Sequence, residues 1–181
     1  MAGNEPRPMR ADARRNYEQL LEQAKLAFAE FGVDASLDEI ARRAGVASGT
    51  LYRHFPTRLD LIEAVLAEQM AGLADLGRRL LTAEDPFDAL VTWLRAALTH
   101  GLTYRGLAAA AMNSALAATW HAEMFQAGAA LLARARESGT VVADANEADV
   151  LKLVGAIGWA SPDDTAQADR MLTLLVRGLA R

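Results

Sequence analysis

Tyr17, Leu20, Leu21, Ala24, Phe28 and Phe31 recur at steps of three and four residues, the spacing of one helix face. The pattern predicts an amphipathic helix over about 12–31, which Gly32 can close as a left-handed residue. Ser36 and Glu39 then stand three apart, as in a capping box where each side chain answers the other's free backbone N–H, so a short helix should run from Leu37 to about Ala44. Ala44-Gly45-Val46 reads as a tight turn, and Ser48–His54 as a second short helix that stops ahead of Pro56. Leu59, Ile62, Leu66, Met70, Leu73, Leu76 and Leu80 predict a longer helix over about 58–80, weakened by Gly72 and Gly77. Asp85-Pro86 has the form of an N-cap followed by an N1 proline, opening a helix with Phe87, Leu90, Leu94 and Leu98 that loosens at Gly101. Segments 104–116 and 119–137 are both helix-prone, with a boundary near Asn113-Ser114 and an end at Ser138-Gly139. Asn146 can cap a helix reaching about Trp159, and Ser161-Pro162 repeats the cap-and-proline pattern before a last helix to Leu179. The expectation is an all-α chain of about nine helices.

Composition leaves that picture in place and narrows the chemistry. Ala and Leu dominate, while β-branched and aromatic residues are sparse, and 181 residues suffice for a hydrophobic core in one domain or in a small domain fused to a larger one. The lack of cysteine excludes disulfides, Cys-ligated zinc and a thiol nucleophile, and fits a reducing compartment. The first fifteen residues are charged and have no apolar h-region, and no apolar run approaches the ~18 residues of a membrane span. We therefore expect a soluble, cytoplasmic protein without a membrane partner. A net charge of −4 argues against nonspecific coating of nucleic acid. Charge is nevertheless uneven: Ile40–Leu59 holds Arg42, Arg43, Arg53 and Arg58 with no acid, and Arg7, Arg10, Arg14 and Arg15 cluster ahead of it. That is what a protein meeting DNA at one end needs, although ordinary solvated charge explains the distribution equally well.

A short helix, a glycine turn and a second short helix that begins with small residues form the signature of a DNA-reading helix-turn-helix. The stretch Leu37-Asp38-Glu39-Ile40-Ala41-Arg42-Arg43-Ala44-Gly45-Val46-Ala47-Ser48-Gly49-Thr50-Leu51-Tyr52-Arg53-His54-Phe55 closely resembles the TetR family pattern. The resemblance covers about residues 12–66, and Thr92–Leu179 looks more loosely like the SbtR-like C-terminal branch. It implies a transcriptional repressor with DNA-binding residues 1–57 and an effector-binding and dimerisation domain over 58–181. The residues support this on their own terms. Ile40, Ala41, Val46, Leu51 and Phe55 sit at core spacing, Gly45 supplies the turn, and Ala47, Ser48, Gly49 and Thr50 are small enough for close approach to a groove. Ser48 and Thr50 suit base edges or phosphates; Tyr52, Arg53, His54 and Arg58 suit phosphate anchoring, with Arg42 and Arg43 adding charge and Ser36 a capped helix start beside a phosphate. Taken singly, Ser48 reads equally well as a cap, Tyr52 as a core ring and His54 as a helix end. A base contact is in doubt at Ala47, where many relatives carry a polar residue.

An enzyme is the rival class, but His54, His100 and His121 show no metal-binding spacing, and neither a phosphate-binding glycine loop nor a nucleophile elbow is present. The acids Glu84-Asp85 and Asp163-Asp164 stand at expected helix starts, where the dipole accounts for them. No metal, cofactor or catalytic residue is expected. A DNA-binding regulator without an effector and a helical interaction protein that does not bind DNA stay open beside the repressor.

One helix-turn-helix reads one half-site, so double-stranded, palindromic operator DNA calls for a homodimer. The last two helices are the candidate interface. Val150, Leu151, Val154, Ile157 and Gly158 form one stripe; Met171, Leu172, Leu175, Gly178 and Leu179 form the other, although both stripes also suit a monomer's own core. For an effector, Trp93, Leu94, Tyr104, Met112, Trp120, Phe125 and Trp159 offer an apolar cavity with His100 and Asn113 as polar groups, which suits a small apolar or aromatic ligand. A plain aromatic core remains the competing reading for each of these residues.

Overall fold

The computed structural model describes residues 7–111 and 117–181 and, among them, nine helices and no strand. These are α1 (Arg7–Phe31), α2 (Leu37–Arg43), α3 (Ser48–His54), α4 (Arg58–Leu80), α5 (Pro86–Thr103), α6 (Arg105–Ala110), α7 (Ala117–Glu137), α8 (Glu147–Ala160) and α9 (Thr165–Leu179). The described residues divide into two compact units, and the chain passes from the first to the second between Leu66 and Ala67, inside α4.

The first unit holds the described residues up to Leu66 together with Gly106–Ala111. Leu20, Ala24 and Phe28 of α1 are buried with Ile40 and Ala41 of α2, Leu51 of α3, and Leu61, Ile62 and Val65 of α4. Two glycines make the tight connections: Gly32 (φ +64°) follows α1, and Gly45 (φ +70°) turns the chain between α2 and α3, a region that L side chains rarely occupy. The starts of α2 and α4 are capped differently. Thr57 and Asp60 form a complete box at α4: the Thr57 backbone N–H donates to Asp60 Oδ2 (2.7 Å), and the Asp60 N–H donates to Thr57 Oγ1 (3.2 Å). At α2 the Glu39 N–H donates to Ser36 Oγ (3.3 Å), whereas the Glu39 carboxylate runs forward to Arg42 and Arg43.

The second unit is built around Trp93, which is 0% exposed and donates through Nε1 to the Leu73 carbonyl (3.0 Å). Glycine makes room for the indole: a Cβ on Gly128 would lie 2.6 Å from the ring, and one on Gly77 would lie 3.1 Å from Nε1. Leu90, Leu94, Leu131 and Leu132 complete the centre with residues of α8 and α9. The residues expected at a dimer interface divide by burial. Val150, Val154, Ile157 and Gly158 of α8 are buried within the chain's own unit, as are Leu172 and Leu179 of α9; Leu151, Met171 and Leu175 are half-buried, with Gly178 alone exposed. Helical periodicity locates an apolar stripe but does not say whether it faces the chain's own core or a second copy. The large apolar residues that α8 and α9 leave outside are Leu153 (49% exposed), Trp159 (80%) and Leu174 (67%), among exposed charged residues such as Lys152, Arg170 and Arg177.

The start of α9 also differs from expectation. Ser161 is the buried C-cap of α8, with its hydroxyl 3.5 Å from the Met171 sulfur, and Asp164 caps α9 by accepting from the Gln167 N–H (2.7 Å). A carboxylate three residues on, able to reach that N–H, displaces the cap-and-proline reading at Ser161-Pro162. Helix α5 runs through Gly101 to Thr103, and the expected boundary near Asn113-Ser114 lies outside the described residues.

Candidate nucleic-acid interface and ligand groove

Helix α3 has one buried residue, Leu51, which fixes its rotation. Ser48, Gly49, Tyr52 and Arg53 therefore lie together on the opposite, exposed face, Tyr52 being 47% exposed, and Thr50 and His54 sit half-buried at its borders. Ala47 is the N-cap residue and offers no side-chain acceptor, so the first N–H groups of α3 are left for an anion. The His54 ring packs edge-on against Tyr17 of α1 (centroids 5.9 Å apart), and Phe55 stands 5.1 Å from the same tyrosine. This aromatic contact fastens the end of α3 to α1.

The expected arginines divide by what they touch. Arg53 is exposed on the α3 face. Arg58 is half-buried, and its Nη1 donates to the carbonyls of Val33 (2.7 Å) and Ala35 (2.6 Å), which makes it a brace of the α1–α2 connection. Arg42 donates through Nε and Nη2 to the two oxygens of Glu39 (2.7 and 2.6 Å), and Arg43 donates through Nε to the same carboxylate (2.8 Å). Hydrogen bonds from Arg42 and then Arg43 bring the Glu39 carboxyl down to about 2. Arg43 also lies 3.5 Å from Glu30 and 5.9 Å from the Phe31 ring centroid. Reading charge between Ile40 and Leu59 missed Glu39, one residue outside that window; its spacing of three and four from the two arginines is the signal that finds it.

In the second unit a groove of about 760 Å³ lies along α4 and α5. Its wall includes Glu68, Gln69, Gly72 and Asp75 of α4, with Thr99, His100 and Thr103 of α5 followed by Tyr104. His100 and Tyr104, both expected there, stand with ring centroids 5.3 Å apart. Burial, with His121 nearby, pushes His100 down to about 4, so it presents a neutral imidazole at pH 7. The other expected residues that the structure describes do not line this groove. Trp93 and Leu94 are core, Phe125 and Trp159 are exposed, and Met112, Asn113 and the Trp120 side chain lie outside the described residues. Aromatic composition alone does not place these rings, since Trp93 is core while Phe125 and Trp159 are exposed; the groove wall instead carries Glu68 and Asp75 of α4 opposite Thr99 and Thr103 of α5. Among the described residues no helix is long and apolar enough to cross a membrane.

Comparison with known proteins agrees with this arrangement in both halves. Residues 20–65 match the family model for bacterial regulatory proteins of the tetR family, and residues 85–181 match the C-terminal domain of SbtR-like transcriptional regulators. The chain is 42% identical over 60 residues to the uncharacterized HTH-type transcriptional regulator TtgW of Pseudomonas putida, a match covering 33% of this chain and 45% of that protein, less than half its length. Similarity to solved structures extends much further. The TetR transcriptional regulator SCO0520 of Streptomyces coelicolor is 35% identical with a TM-score of 0.76, over 90% of this chain and 97% of that one. A TetR transcription regulatory protein of Mycobacterium vanbaalenii is also 35% identical, with a TM-score of 0.75 over 96% of this chain and all (100%) of its own. With a helix-turn-helix whose reading face stands open and an SbtR-like half behind it, the chain belongs to the TetR family of DNA-binding transcriptional regulators.

Proposed function

We propose that this regulator is a repressor that binds a palindromic operator as a homodimer and leaves it when a small molecule occupies the α4–α5 groove. The observation that carries the reading is the exposed face of α3. Ser48, Gly49, Tyr52 and Arg53 share one side of a helix whose first N–H groups carry no side-chain cap, as major-groove docking requires. Ser36, Ser48, Arg53 and Arg42 supply phosphate contacts, Thr50 and Tyr52 the base-edge contacts, and Arg43, His54 and Arg58 hold the unit in shape. A half-site on each side of a palindrome needs two such faces ~34 Å apart, and the exposed Trp159, Leu153 and Leu174 of α8 and α9 offer a second copy an apolar surface.

The groove supports release because one helix carries both parts: α4 begins with the Arg58 brace and continues into the groove wall at Glu68, Gly72 and Asp75. A ligand that prefers one position of α4 shifts the population of DNA-competent molecules. The LfrR regulator of Mycobacterium smegmatis, 22% identical with a TM-score of 0.67, was solved in complex with proflavine. The groove sets Glu68, Asp75, Thr99 and His100 beside Ala71, Leu73, Leu76 and Ala96, a mixed lining that suits a ligand with an apolar body and a few hydrogen-bonding groups.

The test is a gel-shift with DNA upstream of the chain's own coding sequence. Thr50→Ala and Tyr52→Ala should each weaken specific binding by ~1–3 kcal/mol while leaving helicity and thermal unfolding unchanged. Equal binding of wild type and the double variant to this DNA and to a scrambled duplex at physiological salt would overturn the reading.

A further inference from the structure

Arg42 stands on α2, the helix that precedes the reading helix in the helix-turn-helix and crosses the DNA backbone in that motif. In the free chain its guanidinium is already matched. Nε and Nη2 meet the two Glu39 oxygens at 2.7 and 2.6 Å, the paired geometry in which arginine also grips phosphate. Arg43 donates a third bond to the same carboxylate (2.8 Å) and is fixed further by Glu30 and the Phe31 ring, so it belongs to the α1–α2 packing. Arg42 is exposed and projects from the last turn of α2. The equivalent acid at the start of α4, Asp60, is directed into its capping box, whereas the Glu39 carboxylate reaches along the helix to the two arginines. At neutral pH Glu39 is ionised and occupies the Nε/Nη2 edge of Arg42, one of the two paired edges with which a guanidinium can grip a phosphate.

We propose that Glu39 is a specificity-setting residue: by clamping Arg42 it lowers the protein's affinity for any DNA backbone, so that base-edge contacts from α3 carry a larger share of the choice between operator and other DNA. The proposal rests on the DNA-binding reading of the helix-turn-helix. Nonspecific binding is almost wholly phosphate neutralisation, and an arginine held by a carboxylate must exchange partners before it adds to that neutralisation. Sequence discrimination is a difference between two affinities, and it grows when the nonspecific one is depressed.

The experiment measures binding of the full chain to a scrambled duplex by fluorescence anisotropy across a salt series. Glu39→Gln should bind more tightly than wild type and with a steeper salt dependence, the slope changing by ~0.9 for each phosphate newly engaged; the affinity ratio between ~50 and ~200 mM salt then widens about three-fold. Two further variants separate the clamp from simple loss of negative charge. Asp38→Asn removes one charge from the neighbouring position and should have a smaller effect, and Arg42→Gln should abolish the gain from Glu39→Gln but not that from Asp38→Asn. Glu39→Ala is made in parallel, with circular dichroism on every variant, so that a misfolded glutamine variant does not decide the outcome. Equal effects of Glu39→Gln and Asp38→Asn, or a gain that survives Arg42→Gln, overturn the clamp. An unchanged slope in a folded Glu39 variant does the same while leaving DNA binding intact. Failure of wild type to bind both its upstream DNA and the scrambled duplex even at low salt overturns the DNA reading together with the clamp.

Discussion

Arg58 shows how one side chain can serve a DNA-binding unit without touching DNA. A guanidinium shared between the carbonyls of Val33 and Ala35 satisfies two acceptors in the single 3-10 turn, Gly32–Asp34, and the residue that closes it. Arg58→Met keeps much of the aliphatic stem and leaves both carbonyls without that donor. A hydrogen bond from a charged group is worth ~1.5–3 kcal/mol, and because one Nη1 serves both carbonyls the variant should lose about that much, not twice as much, in urea unfolding. Its salt dependence on scrambled DNA should match wild type. A flattened dependence with unchanged stability would return Arg58 to the phosphate contacts, the role its charge and position in the sequence suggest.

At the scale of elements, the space around Trp93 sets a stricter limit than helix propensity. Alanine is normally worth ~1 kcal/mol over glycine inside a helix, and Gly101, with nothing near its absent Cβ, should show that gain when replaced by Ala. Gly128→Ala should do the reverse. Its Cβ would fall 2.6 Å from the ring of fully buried Trp93, and overpacking of that kind costs ~1–3 kcal/mol. Thermal unfolding of the two variants should therefore move in opposite directions, and a stabilised Gly128→Ala would show that the cradle is loose. The same contrast separates what the sequence makes legible from what it does not. Helix positions follow from three- and four-residue spacing, and the reading face follows from the single apolar residue Leu51 in a short helix, because both depend on local periodicity. The groove and the outward faces of α8 and α9 depend on which of two apolar sides meets the rest of the chain, and no local pattern holds that information. Trp93 and Trp159 are the same residue type with opposite fates, 0% and 80% exposed.

At the scale of the whole molecule, the proposed dimer would use the outer faces of α8 and α9. Because Val154 and Leu172 already serve the monomer's core, charge placed there would unfold the chain and say nothing about assembly. Trp159→Glu with Leu174→Glu is the informative variant. Sedimentation at micromolar concentration should give a dimer for wild type and a folded monomer for the double variant, and an unaltered dimer would move the interface elsewhere. The exposure of Trp159 also makes that assembly visible in light. An indole in water emits far to the red of one sealed in hydrocarbon, so with Trp120 replaced by Phe, Trp93 contributes a constant blue band and Trp159 a red one that a partner would pull toward the blue. Diluting the protein through its dissociation range thus turns a question of subunit contact into a shift of colour, with no label added to the chain.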